Sequence, residues 1–288
     1  MAILEALSPT SDGRRRIALR SPATREPIGE ITCATADDVN AAIARARKAQ
    51  KEWGARPIKE RVAVLRKAID VLVARQDDVC DTVAKETGKP RPECLAIEVL
   101  PSLDFLNFYA ARAEKDLSDE WRPLHGYLKP FKKLLMHYRP LGVIGVITPW
   151  NGPFALSWNP TIQALLAGNA VIVKPSEVTP YSGGWAVKVL HEAGVPEDVV
   201  QVIHGDGEAG GALVNGDIDK ISFTGSVGTG KKIALACAQR LIPCTLELGG
   251  KDAMIVCEDA DLDRAAIGAV YLSMFNTGQV CMGTERIY

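Results

Sequence analysis

Two stretches of this chain carry glycine, hydroxyl and basic residues at spacings that can hold phosphate. "FTGSVGTGKK" (223–232) reads G-x-x-x-x-G-K from Gly225, the pattern of a loop that grips nucleoside triphosphates. That loop needs Ser or Thr after its lysine to reach a magnesium ion, and here the next residue is Lys232. An ammonium donates hydrogen bonds and repels a cation, so a triphosphate site is disfavoured. "GDGEAG" (205–210) satisfies G-x-G-x-x-G after an apolar run, but only Ala209 to Asn215 is left for the helix that should follow, because Gly216 interrupts it. A dinucleotide fingerprint and a tight surface loop both stay open there. A helix start at Ser226 is the sounder feature: Gly225 permits close backbone approach, Ser226 caps, and a helix runs through about Gln239. Its free N–H groups and positive dipole end suit a pyrophosphate without metal, with a purely structural cap as the alternative.

Three further side chains could do chemistry. Cys281 in "GQVCMG" is a nucleophile or an inert small hydrophobe; Gly278 and Gly283, with Asn276 and Thr277 nearby, predict a loop. Glu247 stands between Leu246 and Leu248 in an apolar strand, where a carboxylate is rarely buried without purpose. Asn151, between Trp150 and Gly152, reads most simply as a turn residue.

The elements that must position these groups change character along the chain. Up to about residue 100 the pattern is mainly helical: Thr35 caps a helix whose N3 residue is Asp38, a second helix starts near Ile58, and Gly88 with Pro90 ends a third. The segment 118–140 mixes prolines, aromatics and Gly126, and predicts an irregular, projecting hairpin. From Gly142 short Val/Ile-rich runs alternate with helix-length segments: 142–148, 170–174, 199–203, 220–224, 244–248 and 253–257. Continuous apolar runs imply strands covered on both faces, hence an α/β fold with a doubly wound, Rossmann-like parallel sheet that binds ligand beyond its carboxyl ends.

Composition excludes several classes. Lys+Arg 34 against Asp+Glu 35 offers nothing to a nucleic-acid backbone. No window reaches the ~18 consecutive apolar residues of a membrane span, and the first twenty residues lack a long apolar stretch, so no membrane partner and a cytoplasmic location are expected. The seven scattered cysteines include no C-x-x-C pair, so neither a metal site nor a disulfide framework is expected.

Five stretches, "TPWNGPF" (148–154), "AGNAVIVKPSEVTP" (167–180), "FTGSVGTGKKI" (223–233), "LELGGKDAMIV" (246–256) and "NTGQVCMGTERIY" (276–288), resemble the NAD(P)-dependent aldehyde dehydrogenases in order and spacing. The resemblance implies that Cys281 attacks a small-molecule aldehyde to form a thiohemiacetal, which loses hydride and leaves a thioester. Asn151 and the Cys281 N–H would hold the oxyanion, and Glu247 would activate the hydrolytic water. By the same resemblance the cofactor lies along Ile147, Thr148, Pro149, Trp150, Lys174, Ser176, Glu177, Gly207, Gly211, Phe223, Thr224, Gly225, Ser226 and Leu248, while Lys232 faces solvent. Glu177 would accept a bond from a ribose 2′-hydroxyl and repel a 2′-phosphate, which favours NAD, with NADP as the alternative. Met282 and Trp158 hint at apolar walls for the aldehyde.

The resemblance also implies a dinucleotide-binding domain over residues 1–248 and the start of a catalytic domain over 249–288. Family members continue well past the nucleophile, so the chain reads as the N-terminal portion of an enzyme that is a homodimer or homotetramer when intact, paired through the hairpin, and as inactive alone. A dinucleotide-binding remnant without catalysis is the competing class. Transfer of the acyl group to coenzyme A is disfavoured by the hydrolytic base at Glu247.

Overall fold

The computed structural model describes residues 2–288. The chain opens with three antiparallel strands, β1 (Ile3–Leu7), β2 (Arg16–Arg20) and β3 (Pro27–Thr32), where the sequence predicted mainly helix. Their apolar residues are interrupted by charge, so burial rather than pattern defines them: Leu19 and Ile31 pack with Val178, Trp150 and Tyr181.

Helix α1 (Ala36–Ala55) starts at the predicted capping box, with Thr35 Oγ1 accepting from Asp38 N and Asp38 reaching back to Thr35 N. Helix α2 (Ile58–Thr87) runs unbroken through what read as two helices and ends at Gly88, whose φ of 77° closes it in the left-handed region. Next comes a helical stretch in three parts: α3 (Arg91–Cys94), a π-turn over Leu95–Val99, and α4 (Leu100–Asp116). By length and composition Arg91–Asp116 could cross a membrane; here its inner face, with Val99 and Leu106, lies in the core beside α2. Strands β4 (Glu120–Arg122) and β5 (Leu134–Met136) form the projecting hairpin, with Trp121, Tyr127 and Phe131 exposed.

The predicted sheet follows. In chain order come β6 (Val143–Ile147), α5 (Pro153–Leu166), β7 (Ala170–Lys174), α6 (Pro180–Glu192), β8 (Val200–Val202), α7 (Gly207–Asn215), β9 (Lys220–Gly225), α8 (Val227–Arg240) and β10 (Cys244–Leu248). The strand order is β10-β9-β6-β7-β8, parallel throughout. One face packs on α2, α4, α5 and α6, the other on α1, α7 and α8, which makes the sheet doubly wound. β6 and β7 are buried at every residue, as their unbroken Val/Ile runs predicted. β10 alternates between half-buried and exposed because it is an edge strand.

The run 253–257 does not join this sheet. β11 (Asp252–Met254) pairs instead with β12 (Thr284–Ile287) in a two-stranded parallel sheet, with α9 (Leu262–Met274) between them.

Candidate functional site

Strand order places the site. The first and fourth strands of the doubly wound unit, β6 and β9, are neighbours, so the chain leaves their carboxyl ends in opposite directions and opens a crevice there. Register brings the strand ends level: Ile147 lies beside Lys174 and Phe223, and Gly225 beside Leu248. A cleft of roughly 510 Å³ fills the crevice, within the usual range for a cofactor site. Its walls include Ile147, Thr148, Pro149, Trp150, Lys174, Ser176, Glu177, Gly207, Gly211, Phe223, Thr224, Gly225 and Ser226. Every predicted cofactor residue except Leu248 is therefore in one wall; Leu248 lines the adjoining cleft.

The donors at the crevice come from α8. Ser226 caps it, accepting from Thr229 N, and the first-turn amides of Val227 and Gly228 have no intrahelical acceptor by construction. A Cβ on Gly225 would stand 2.5 Å from the Phe223 ring, so any larger residue there would have to displace that ring. Opposite, α7 presents bare backbone, with nothing within 4 Å of a Cβ built on Gly207 or Gly211. The helix begins at Gly207 itself, capped by the Asp206 carboxylate, earlier than the sequence allowed. Burial would raise the Asp206 pKa, but Arg15 and the Glu208 amide outweigh it and hold the carboxylate ionised below its ordinary range. Lys174 Nζ donates to Glu177 Oε2 at 3.3 Å, so the carboxylate expected to meet a ribose already faces an ammonium. Lys232 is exposed, as expected, yet also lines this cleft.

A second cleft of about 370 Å³ adjoins the first, sharing Pro149, Trp150, Thr224, Gly225 and Ser226. Asn151, Glu247 and Cys281 all line it. Asn151 Nδ2 donates to Gln279 O at 3.0 Å, leaving the second amide proton for another acceptor. Asn276 Nδ2 donates to both Asn151 O at 3.0 Å and Gln279 O at 2.8 Å, tying the amide's turn to the thiol's loop. That loop is wound tightly: Asn276, Thr277 and Gly278 all have φ between 55° and 71°. Cys281 and Glu247 are both exposed. The inference from burial at Glu247 therefore does not hold: on an edge strand the residues alternate, and its side chain points away from the half-buried face of Leu246 and Leu248. Trp158 is not a wall of this cleft but fully buried, stacked on Phe154 and donating to Ser102 O. Met282 is exposed.

Known proteins supply the comparison. A profile described as "Aldehyde dehydrogenase family" matches residues 9–288. This chain belongs to the aldehyde dehydrogenase family. A Mycolicibacterium smegmatis aldehyde dehydrogenase, provisionally named a succinate-semialdehyde dehydrogenase using NADP+, is 40% identical over 96% of the chain. The crystal structure of Mycobacterium tuberculosis aldehyde dehydrogenase complexed with NAD+ superposes with a TM-score of 0.89 at 38% identity over 97% of the chain. The aldehyde dehydrogenase of Brucella melitensis biovar abortus gives 0.91 at 34% identity, again over 97%. The chain spans 53% of the length of the first of these proteins and 57% of each of the other two. The parallel sheet of those structures is thus matched within these residues.

Residue types alone missed Lys89, Glu98 and Asn276. Lys89 and Glu98 look like ordinary surface charges in sequence, yet both side chains are fully buried and paired at 2.7 Å. Their only signal was position: Lys89 follows the glycine that ends α2, and Glu98 lies on an otherwise apolar stretch.

Proposed function

We propose that these residues carry the dinucleotide cleft and the nucleophile of an enzyme that oxidises an aldehyde to a carboxylic acid with NAD, accepting NADP where rotation at Glu177 admits a 2′-phosphate. The observation that carries the reading is that Cys281, Glu247 and Asn151 line one cleft, continuous with a crevice walled by a capped helix N-terminus. When bound, the dinucleotide supplies the acceptor for the hydride that leaves the substrate carbon. Cys281 Sγ adds to the carbonyl carbon and converts it to a tetrahedral thiohemiacetal from which hydride can depart. The Asn151 amide and the Cys281 N–H donate to the oxygen as it gains charge, each such donor contributing about 3 kcal/mol. Once the thioester stands, Glu247 takes a proton from a water molecule as that water attacks; the acid leaves and the thiol is restored. Residues 1–248 serve as the dinucleotide-binding domain and 249–288 as the catalytic segment, with the 118–140 hairpin as an arm for homodimer or homotetramer assembly. All seven cysteines are free among the described residues, which suits a reducing cytoplasm.

The competing reading is that this chain binds dinucleotide without turnover. One assay separates the two. The purified chain is titrated with NAD+ and then given a panel of aldehydes while NADH is followed at 340 nm. Turnover that vanishes in Cys281→Ala supports catalysis; saturable binding with no aldehyde-dependent NADH supports the second reading; no binding at all defeats both.

A further inference from the structure

Helix α5 begins two residues after Asn151 and has no side-chain cap of its own, its N-cap being Gly152. The cap comes from a distant element. Glu98 Oε2 accepts from Phe154 N at 3.1 Å and from Ala155 N at 2.8 Å, while its Oε1 accepts from Lys89 Nζ at 2.7 Å. Lys89 Nζ then donates to the main-chain oxygen of Asn151 at 2.8 Å, the oxygen that also accepts from Asn276. Glu98 sits in the π-turn, where the winding departs from that of the helices on either side.

A fully desolvated ion pair is a poor way to stabilise a core, since apolar residues of similar volume commonly do as well or better. What this pair has instead is direction. Among the described residues, every side-chain hydrogen bond it makes outside the pair falls between Asn151 and Ala155. We propose that Lys89 and Glu98 are positioning residues for Asn151, a buried pair that locks the main chain of the amide's turn to the start of α5 so that the amide faces the Cys281 cleft. The inference rests on the reading of Asn151 as an oxyanion donor given above. Neither side chain touches the reacting atoms; both act through the Asn151 backbone.

The test needs no dinucleotide. 4-Nitrophenyl acetate acylates a cysteine by forming the Sγ–C bond through an oxyanion and expelling 4-nitrophenolate, the thiol proton going to water; iodoacetamide alkylates the same sulfur by displacing iodide, with no oxyanion. Acylation of Cys281 in the purified chain, located by mass spectrometry, is compared with its alkylation in wild type, Asn151→Ala, Lys89→Met and the two combined. Asn151→Ala should slow acylation about 10²-fold, as loss of an oxyanion donor does. Lys89→Met should slow it about tenfold, the donor being misplaced rather than lost, and leave alkylation within about twofold. Added to Asn151→Ala, it should slow acylation no further, because the two act through one group. As Lys89→Met strands the Glu98 charge, the neutral pair Lys89→Met with Glu98→Gln keeps an acceptor for the α5 amides; it should fold, judged by circular dichroism, and show the same selective loss. Acylation that depends on Asn151 but is unchanged in both Lys89 variants overturns the positioning role alone. Equal slowing of acylation and alkylation overturns it too, showing a merely structural part. Acylation that is absent, or indifferent to Asn151, overturns it together with the reading beneath it.

Discussion

Strands β6 and β7, under the larger cleft, are buried at every residue, whereas α9, which leads into the Cys281 loop, has no buried residue at all. The contrast extends to how helices are held. α5 and α6 have their first amides capped by Glu98 and Glu86, carboxylates that are themselves buried; α9 is capped by Asp261 at the surface. Residues beneath the larger cleft are thus positioned by packing, and those of the Cys281 loop by local turns and a few hydrogen bonds. Asn151 lies on the seam, its carbonyl held from one side by Lys89 and from the other by Asn276. Among these residues the cleft takes its amide and its carboxylate from the central sheet and the helices on it, Glu247 standing on edge strand β10, and its thiol from the loop after α9.

Core truncation tests this difference most sharply. Trp158→Ala removes a fully buried ring and an indole hydrogen bond, and should destabilise the chain by about 3–5 kcal/mol in urea unfolding. Ile267→Ala, on α9 at 72% exposure, should stay within about 0.5 kcal/mol. A cost above about 1 kcal/mol at Ile267 would mean that α9 is covered in solution and that the contrast is false.

A smaller effect distinguishes the two capping carboxylates. Glu98 has Lys89 beside it; Glu86 has only the Tyr181 and Ser182 amides and the Ser182 hydroxyl. Burial pushes the Glu86 pKa from 4.5 up to about 7, against the pull of those donors. The folded chain then holds the Glu86 proton to higher pH than the unfolded chain does. Stability from this group is full below its unfolded pKa and is lost as pH rises through about 7. Between about pH 5 and pH 8 wild type should therefore lose about 2–3 kcal/mol relative to Glu86→Gln, read from urea unfolding at both pH values. Parallel pH profiles would show that the α6 amides keep Glu86 ionised throughout.

The smallest expected difference compares surface caps across the two halves. Ser226→Ala removes the cap of α8, which packs on the central sheet, and should cost about 1 kcal/mol of global stability. Asp261→Ala removes an equivalent cap from α9 and should leave the main unfolding midpoint unmoved, changing only amide exchange within α9. Equal shifts in midpoint would show that both halves unfold as one unit.

Much of the nucleotide half was legible because its signals are local. The apolar runs at 170–174 and 244–248 became strands with those bounds, and Thr35, Gly88 and Ser226 cap the helices as their types predicted. Less was legible where burial depends on remote partners. β1 to β3 have no strong apolar alternation, Asp252–Met254 belongs to another sheet, and Trp158 packs in the core rather than in a substrate wall.

The sequence by itself determined the parallel sheet and the capped start of α8, since strand periodicity, capping and glycine turns are properties of a few neighbouring residues. Only the tertiary structure decided that Glu247 lies on an exposed edge, that Lys232 borders the larger cleft, and that Lys89 and Glu98 meet the Asn151 turn. Those outcomes join residues as many as 62 positions apart, and no local preference encodes which charges will be desolvated together.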